Sequence, residues 1–135
     1  MRLVTLFLIA AFAASTVGAA SYQHRDGTIV DPIMNWYSDS PHSYSGANLE
    51  PYAMLNQPNL YNAHLWGADL RGANLSNADL NHASLYRADL TNADLRAANL
   101  WTAYMVFATL TDADLTGSNL TTVSSWYDAQ MIIDK

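Results

Sequence analysis

The sequence predicts a solenoid, a chain that bends once every five residues around an axis filled with leucine and alanine. Three observations predict it. From Ala53 to Leu120 a central position recurs at residues 55, 60, 65 and onward in fourteen tandem repeats, with Leu thirteen times and Met once, at Met105. The position two before it is Ala in twelve repeats, the exceptions being Pro58 and Ser118. The residue just before it is Asn or Asp in nine: Asn59, Asp69, Asn74, Asp79, Asp89, Asp94, Asn99, Asp114 and Asn119.

Neither regular element accommodates a period of five. On an α-helix each step of five advances about 140° net, which spreads the leucines around the whole cylinder. On a flat strand an odd step puts successive leucines on opposite faces. A chain that turns a corner in every repeat points each Leu and each Ala toward a common axis and leaves the intervening positions facing water. Asn, Asp, Ser and Gly suit such corners, because they bond their own backbone or accept unusual dihedrals. Pairs such as Arg71-Gly72, Ser76-Asn77, Thr91-Asn92 and Thr116-Gly117 follow the central leucines accordingly.

These residues resemble the pentapeptide-repeat family, whose motif is A(D/N)LXX. The resemblance covers residues 53–122, about half of the chain. It implies an all-β fold, a right-handed quadrilateral parallel β-helix with four repeats per coil and Leu and Ala inside. Fourteen repeats then make about 3.5 coils, and at one strand spacing per coil the tower stands about 17 Å tall. Stacked neighbours share a continuous core that no single repeat could form. Each buried Leu contributes roughly 1.5–3 kcal/mol.

The flanks follow in order. Residues 1–20 read as a secretory signal peptide: Arg2, an apolar run from Leu3 to Ala14, then small residues suited to cleavage. The run is about twelve residues, short of the roughly twenty needed to span a bilayer, so no stable membrane anchor is expected after cleavage. A secreted or periplasmic location follows as an expectation. With no cysteine, the chain has no lipoprotein anchor, disulfide or thiolate metal site. Residues 21–52 form an irregular lead-in or cap, rich in turn signals, with Ile29, Ile33, Met34 and Trp36 as candidates to cover the first coil. Ala47-Asn48-Leu49 is a further copy of the motif, read as a first strand joined through a one-residue bulge at Glu50–Tyr52. The register fades at Val123 and Ser125, and residues 123–135 read as a C-terminal cap over an otherwise unpaired edge.

Removing Arg2 with the leader leaves five basic against twelve acidic residues, a charge of about −7. That balance opposes nucleic-acid binding, which needs Lys and Arg on phosphates. Folding the sequence on a period of twenty gives the tower columns. One outward column holds Trp66, Tyr86, Val106 and, if the register continues, Trp126, with Tyr104, Phe107 and Tyr127 beside it. The opposite column offers Asn56, Ser76, Arg96 and Thr116. An apolar patch of this kind usually meets something. The expected occupant is a protein partner, a glycan or a second copy of the chain. The competing expectation is that the lead-in or the C-terminal tail folds back over the wall.

Other chemistry is sparse. Asp69 stacks over Asp89 and Asp94 over Asp114, where like charges repel unless relieved. Calcium would suit carboxylates, but Arg71, Arg87 and Arg96 stand near enough to serve, so no metal is expected. His24, His42, His64 and His82 show no ligand spacing. No nucleophile elbow, phosphate loop, zinc helix or carboxylate cleft appears, so neither catalysis nor a cofactor is expected. The leading expectation is an exported structural or interaction module. The alternative comes from the resemblance: some cytoplasmic family members mimic duplex DNA in shape and charge and bind DNA gyrase. The negative charge fits that alternative; the leader and the short tower do not.

Overall fold

In a computed structural model, residues 21–24, 26–30, 33–35, 49–55 and 57–123 are described. The expected tower is present. Parallel bridges join residues twenty apart, as in Met54 to Asn74 to Asp94 to Asp114 and Asn59 to Asp79 to Asn99 to Asn119. Two walls therefore carry four rungs each. The other two run His64 to Ser84 to Tyr104 and Asp69 to Asp89 to Thr109, three rungs each. One coil is four repeats, and the tube is a square prism.

Each corner is the same turn. The Ala amide bonds back to the preceding central carbonyl, as from Ala63 to Leu60 at 3.0 Å and from Ala93 to Leu90 at 3.0 Å. The second residue after every central position has positive φ, from Gln57 at 47° to Gly117 at 73°. Positive φ at that one turn position is the mark of a type II turn. All nine Asn and Asp residues of the motif accept a hydrogen bond from the amide two residues on, as Asn74 Oδ1 does from Ser76 at 3.0 Å and Asp114 Oδ1 from Thr116 at 2.9 Å. The Asx bond and the turn together fix the bend that the repeat requires. Gly67 and Gly72 occupy the left-handed position for a second reason. A Cβ at Gly67 would lie 2.7 Å from the His24 ring, and one at Gly72 would strike Tyr52.

The core lies on the axis. Leu60 through Leu100 and their alanines are fully buried, Met105 fits among them, and Leu115 and Leu120 are half-buried in the last rungs. Not every outward position faces water, contrary to the simple rule: Asp69, Ser84 and Asp89 are buried. Arg71 folds over Asp69, with Nε to Oδ1 and Nη2 to Oδ2 both at 2.7 Å.

The lead-in is more regular than expected. Strands β1 (Tyr22–Gln23) and β2 (Ile29–Val30) form an antiparallel pair, and β3 (Met34–Asn35) pairs antiparallel with β4 (Ala63–His64) on the first coil. Strand β1 also takes the rung below Asp69, whose amide bonds Gln23 O at 2.6 Å. Leu49 is buried and bridges Tyr22 in parallel, so it lies one layer further out and is not the first rung of the tower. The turn after it has the usual geometry but starts at Glu50, with Ala53 bonded to Glu50 O and Tyr52 at φ 62°, so the extra residue expected in Glu50–Tyr52 lies between Leu49 and the turn. Among the proposed cover residues, Ile33 is buried and Met34 half-buried, but Ile29 is 58% exposed and covers nothing. Tyr22, absent from that set, fills the place, with its hydroxyl donating to Trp66 O at 3.3 Å. At the other end the register holds through Val123, which is buried and turns back to Leu120 O. Ala47, Asn48, Asn56, Trp36 and the tail from residue 124 lie outside the described residues.

Candidate functional site, an aromatic wall

The wall centred on Leu65, Leu85 and Met105 carries the candidate surface. Because β-helix positions alternate in and out, His64, Ser84 and Tyr104 project along its middle, while Trp66, Tyr86 and Val106 stand at the following corner. The structure brings the aromatic candidates together. Trp66 meets Tyr86 edge-on at 5.4 Å between centroids, Tyr86 stacks on Tyr104 at 6.0 Å, and Phe107 meets Tyr86 edge-on at 5.7 Å. Such contacts add about 0.5–1.5 kcal/mol each beyond area burial. Trp66 and Phe107 remain 47% and 50% exposed, Tyr86 and Tyr104 half-buried, and Val106 buried. Trp126 and Tyr127 fall outside the described residues.

Arg87 does not relieve the stacked acids as expected. Its guanidinium lies over the rings of Tyr86 and Phe107, at 5.2 and 5.9 Å, where cation–π attraction holds it. A hollow of about 540 Å³ opens among His64, Trp66, Ser84, Tyr86 and Tyr104. Burial, then the neighbouring His24, lowers the pKa of His64 below the ordinary histidine value, which favours the neutral imidazole.

A second ridge borders the same wall at the preceding corner. Tyr61 meets His82 edge-on at 5.7 Å, and His82 meets Trp101 at 5.5 Å. The Thr102 hydroxyl holds His82 Nδ1 at 2.8 Å. Column folding missed this ridge because its rings alternate between the first and second positions after the centre, so no single column contains them. The signal was the pairing of Tyr61 and Trp101, forty residues apart.

The acid pairs are met by arginines. Arg71 chelates Asp69, and Arg96 chelates Asp94 while its Nε reaches Asp114 at 3.7 Å. Hydrogen bonds from Arg96 hold the Asp94 pKa below the ordinary range, and bonds from Thr116 do the same for Asp114. Among the described residues no group of three or more His, Asp or Glu is placed to hold a metal ion.

The chain matches the family model described as Pentapeptide repeats, in 8 copies, over residues 59–96 and 83–121. No curated protein matches it in sequence. Among solved structures it is similar to HetL, a pentapeptide repeat protein involved in heterocyst differentiation regulation from the cyanobacterium Nostoc sp. strain PCC 7120. The identity is 34% and the TM-score 0.45, over 61% of this chain and 40% of that one, so the chain spans less than half of HetL's length. It is also similar to Rfr23, a pentapeptide repeat protein from the cyanobacterium Cyanothece 51142, at 25% identity and TM-score 0.35, over 69% of this chain and 68% of that one.

Proposed function

The chain belongs to the pentapeptide-repeat family, and from that premise we propose that it is an exported, non-catalytic interaction module whose aromatic wall receives a partner. The family is generally non-enzymatic, and a prism filled by its own leucines has no interior to hold a substrate. What a rigid tube supplies is flat walls of fixed spacing. The observation that carries the reading is the exposure of Trp66 and Phe107 within one packed ring cluster. Tyr, Trp and Arg are the residues that dominate contact energies in interfaces, and Arg87 lies among them. Export supports an extracytoplasmic partner and rests on the leader-like residues 1–20.

A pull-down with the purified protein tests the reading, comparing wild type with Trp66→Ala/Tyr86→Ala. A specific partner lost only in the double variant is the expected result. Equal capture by both proteins removes the wall from the function. Fractionation of cells expressing the whole chain tests export separately: a processed product outside the cytoplasm is expected, and an uncleaved cytoplasmic one overturns it.

A further inference from the structure

The middle of the aromatic wall has an irregularity that the ring cluster alone does not explain. Its successive rungs present His64, Ser84 and Tyr104, a small residue between two large ones, and the hollow opens at that step. Ser84 is fully buried, and its hydroxyl has no hydrogen-bond partner. Buried hydroxyls without partners are unfavourable and rare in native proteins. Here one lies in the lining of a hollow walled by Trp66, Tyr86 and Tyr104.

We propose that this hollow binds a neutral saccharide unit, with an apolar sugar face against the Trp66 ring and a sugar hydroxyl bonded to Ser84 Oγ. The inference rests on the contact-surface reading of the same wall and names the chemistry of what that wall contacts. The lining selects for it. No carboxylate, Lys or Arg is among the described lining residues, and Arg87 beside them is engaged on the Tyr86 and Phe107 rings, so the lining itself offers a charged ligand no ion pair. A purely apolar ligand would leave the Ser84 hydroxyl as orphaned as before. A flat, uncharged, hydroxylated molecule answers both demands. The volume falls within the range of about 300–1,000 Å³ usual for small-ligand sites and fits one or two sugar units. Ser84 is shut off from water, so binding requires the flanking His64 and Tyr104 side chains to part and admit the ligand hydroxyl.

The test titrates protein purified from expression of the whole chain with maltose, cellobiose and N,N′-diacetylchitobiose, following tryptophan emission and melting temperature. At least one disaccharide is expected to shift emission and raise the melting temperature at millimolar concentration. Trp66→Ala abolishes the response. Ser84→Ala weakens it about five- to tenfold, the worth of one neutral hydrogen bond, while the free variant melts no lower than wild type because an orphan hydroxyl has gone. Trp101→Ala, on the neighbouring ridge, leaves the affinity unchanged. No response to any of the three, or a response that Ser84→Ala and Trp66→Ala leave intact, overturns the proposal. So does a Ser84→Ala protein that melts well below wild type, which would make the hydroxyl structural. Capture of a protein partner through Trp66 without any sugar response ends the saccharide assignment and keeps the wider reading; failure of both ends both.

Discussion

The wall centred on Leu55, Leu75, Leu95 and Leu115 and the wall centred on Leu65, Leu85 and Met105 share one interior and differ in everything outside it. Behind both stand alanines and leucines on the same turns, with Met105 in the second, buried except at the ends of the first, where Ala53, Ala113 and Leu115 are half-buried. In front of the first, Arg96 chelates Asp94 and reaches toward Asp114, and Ser76 bonds Asn74 at 2.7 Å. In front of the second, rings pack on rings and Arg87 is drawn over them. The repeat therefore separates two jobs by position. The Ala and Leu sites and the Asx turns build the tube, and the remaining outward sites carry what distinguishes one wall from another. On the proposed reading, specificity in such a molecule belongs to a wall, not to a pocket in the core.

The comparison breaks most decisively if the interiors are unequal. Leu85→Ala and Leu95→Ala remove fully buried side chains behind the aromatic and the charged wall respectively. Each is expected to cost about 2–5 kcal/mol in denaturant unfolding, with closely similar values for the two. A Leu85 variant far milder or harsher than its counterpart would mean that the outer surface shapes the core after all.

A smaller effect separates the exteriors. Asp94→Ala removes both a turn bond and an arginine chelate from the charged wall, and with Arg96 more than half exposed the loss is about 1 kcal/mol. The same contacts give the wall a pH dependence. Because the Asp94 and Asp114 pKa values are lowered by folding, their stabilisation is full above the ordinary Asp value of about 3.9 and is lost as pH falls through the lower folded values. Melting temperatures measured downward from pH 6 should drop in that acid window, and the Asp94→Asn protein should drop less.

The smallest effects lie at the corners. Ala97, on the charged wall, sits at φ 55° with an exposed side chain. Ala97→Gly relieves left-handed strain and is expected to stabilise by about 0.5–1 kcal/mol after the entropy of glycine is counted. Phe107 holds the same conformation at φ 59°, yet Phe107→Gly should gain little or nothing, because its contact with Tyr86 is worth about 0.5–1.5 kcal/mol. Equal gains at both corners would show that the ring cluster contributes no stability.

Much of this was legible in the sequence because a repeat phases itself. Once Leu75 and Leu95 are twenty apart on one wall, every outward residue has a place, and Trp66, Tyr86, Tyr104 and Phe107 meet as expected. The Asn and Asp residues, read as turn formers, all make that bond. Regions with no repeat to phase them were not readable in the same way. Strands β1 and β3 run antiparallel to the rungs they cover, so the periodicity says nothing of Tyr22 or of the layer that β1 inserts between Leu49 and the Asp69 rung. Burial at Asp69, Ser84 and Asp89 depends on what neighbouring rungs and Arg71 lay over them, which a column of letters does not contain. The Tyr61, His82 and Trp101 ridge alternates between two columns, so one column shows only Tyr61 and Trp101 and the whole ridge is visible only when both are read together.

The central claim is that the aromatic wall faces solvent and is free to be met. Acrylamide quenching of tryptophan fluorescence, taken as the difference between wild type and Trp66→Phe, reads it most directly. The account predicts that the Trp66 contribution is readily quenched, as its 47% exposure requires. A Trp66 contribution fully protected in the monomer would mean that the chain covers its own wall, and the contact surface described above would not exist.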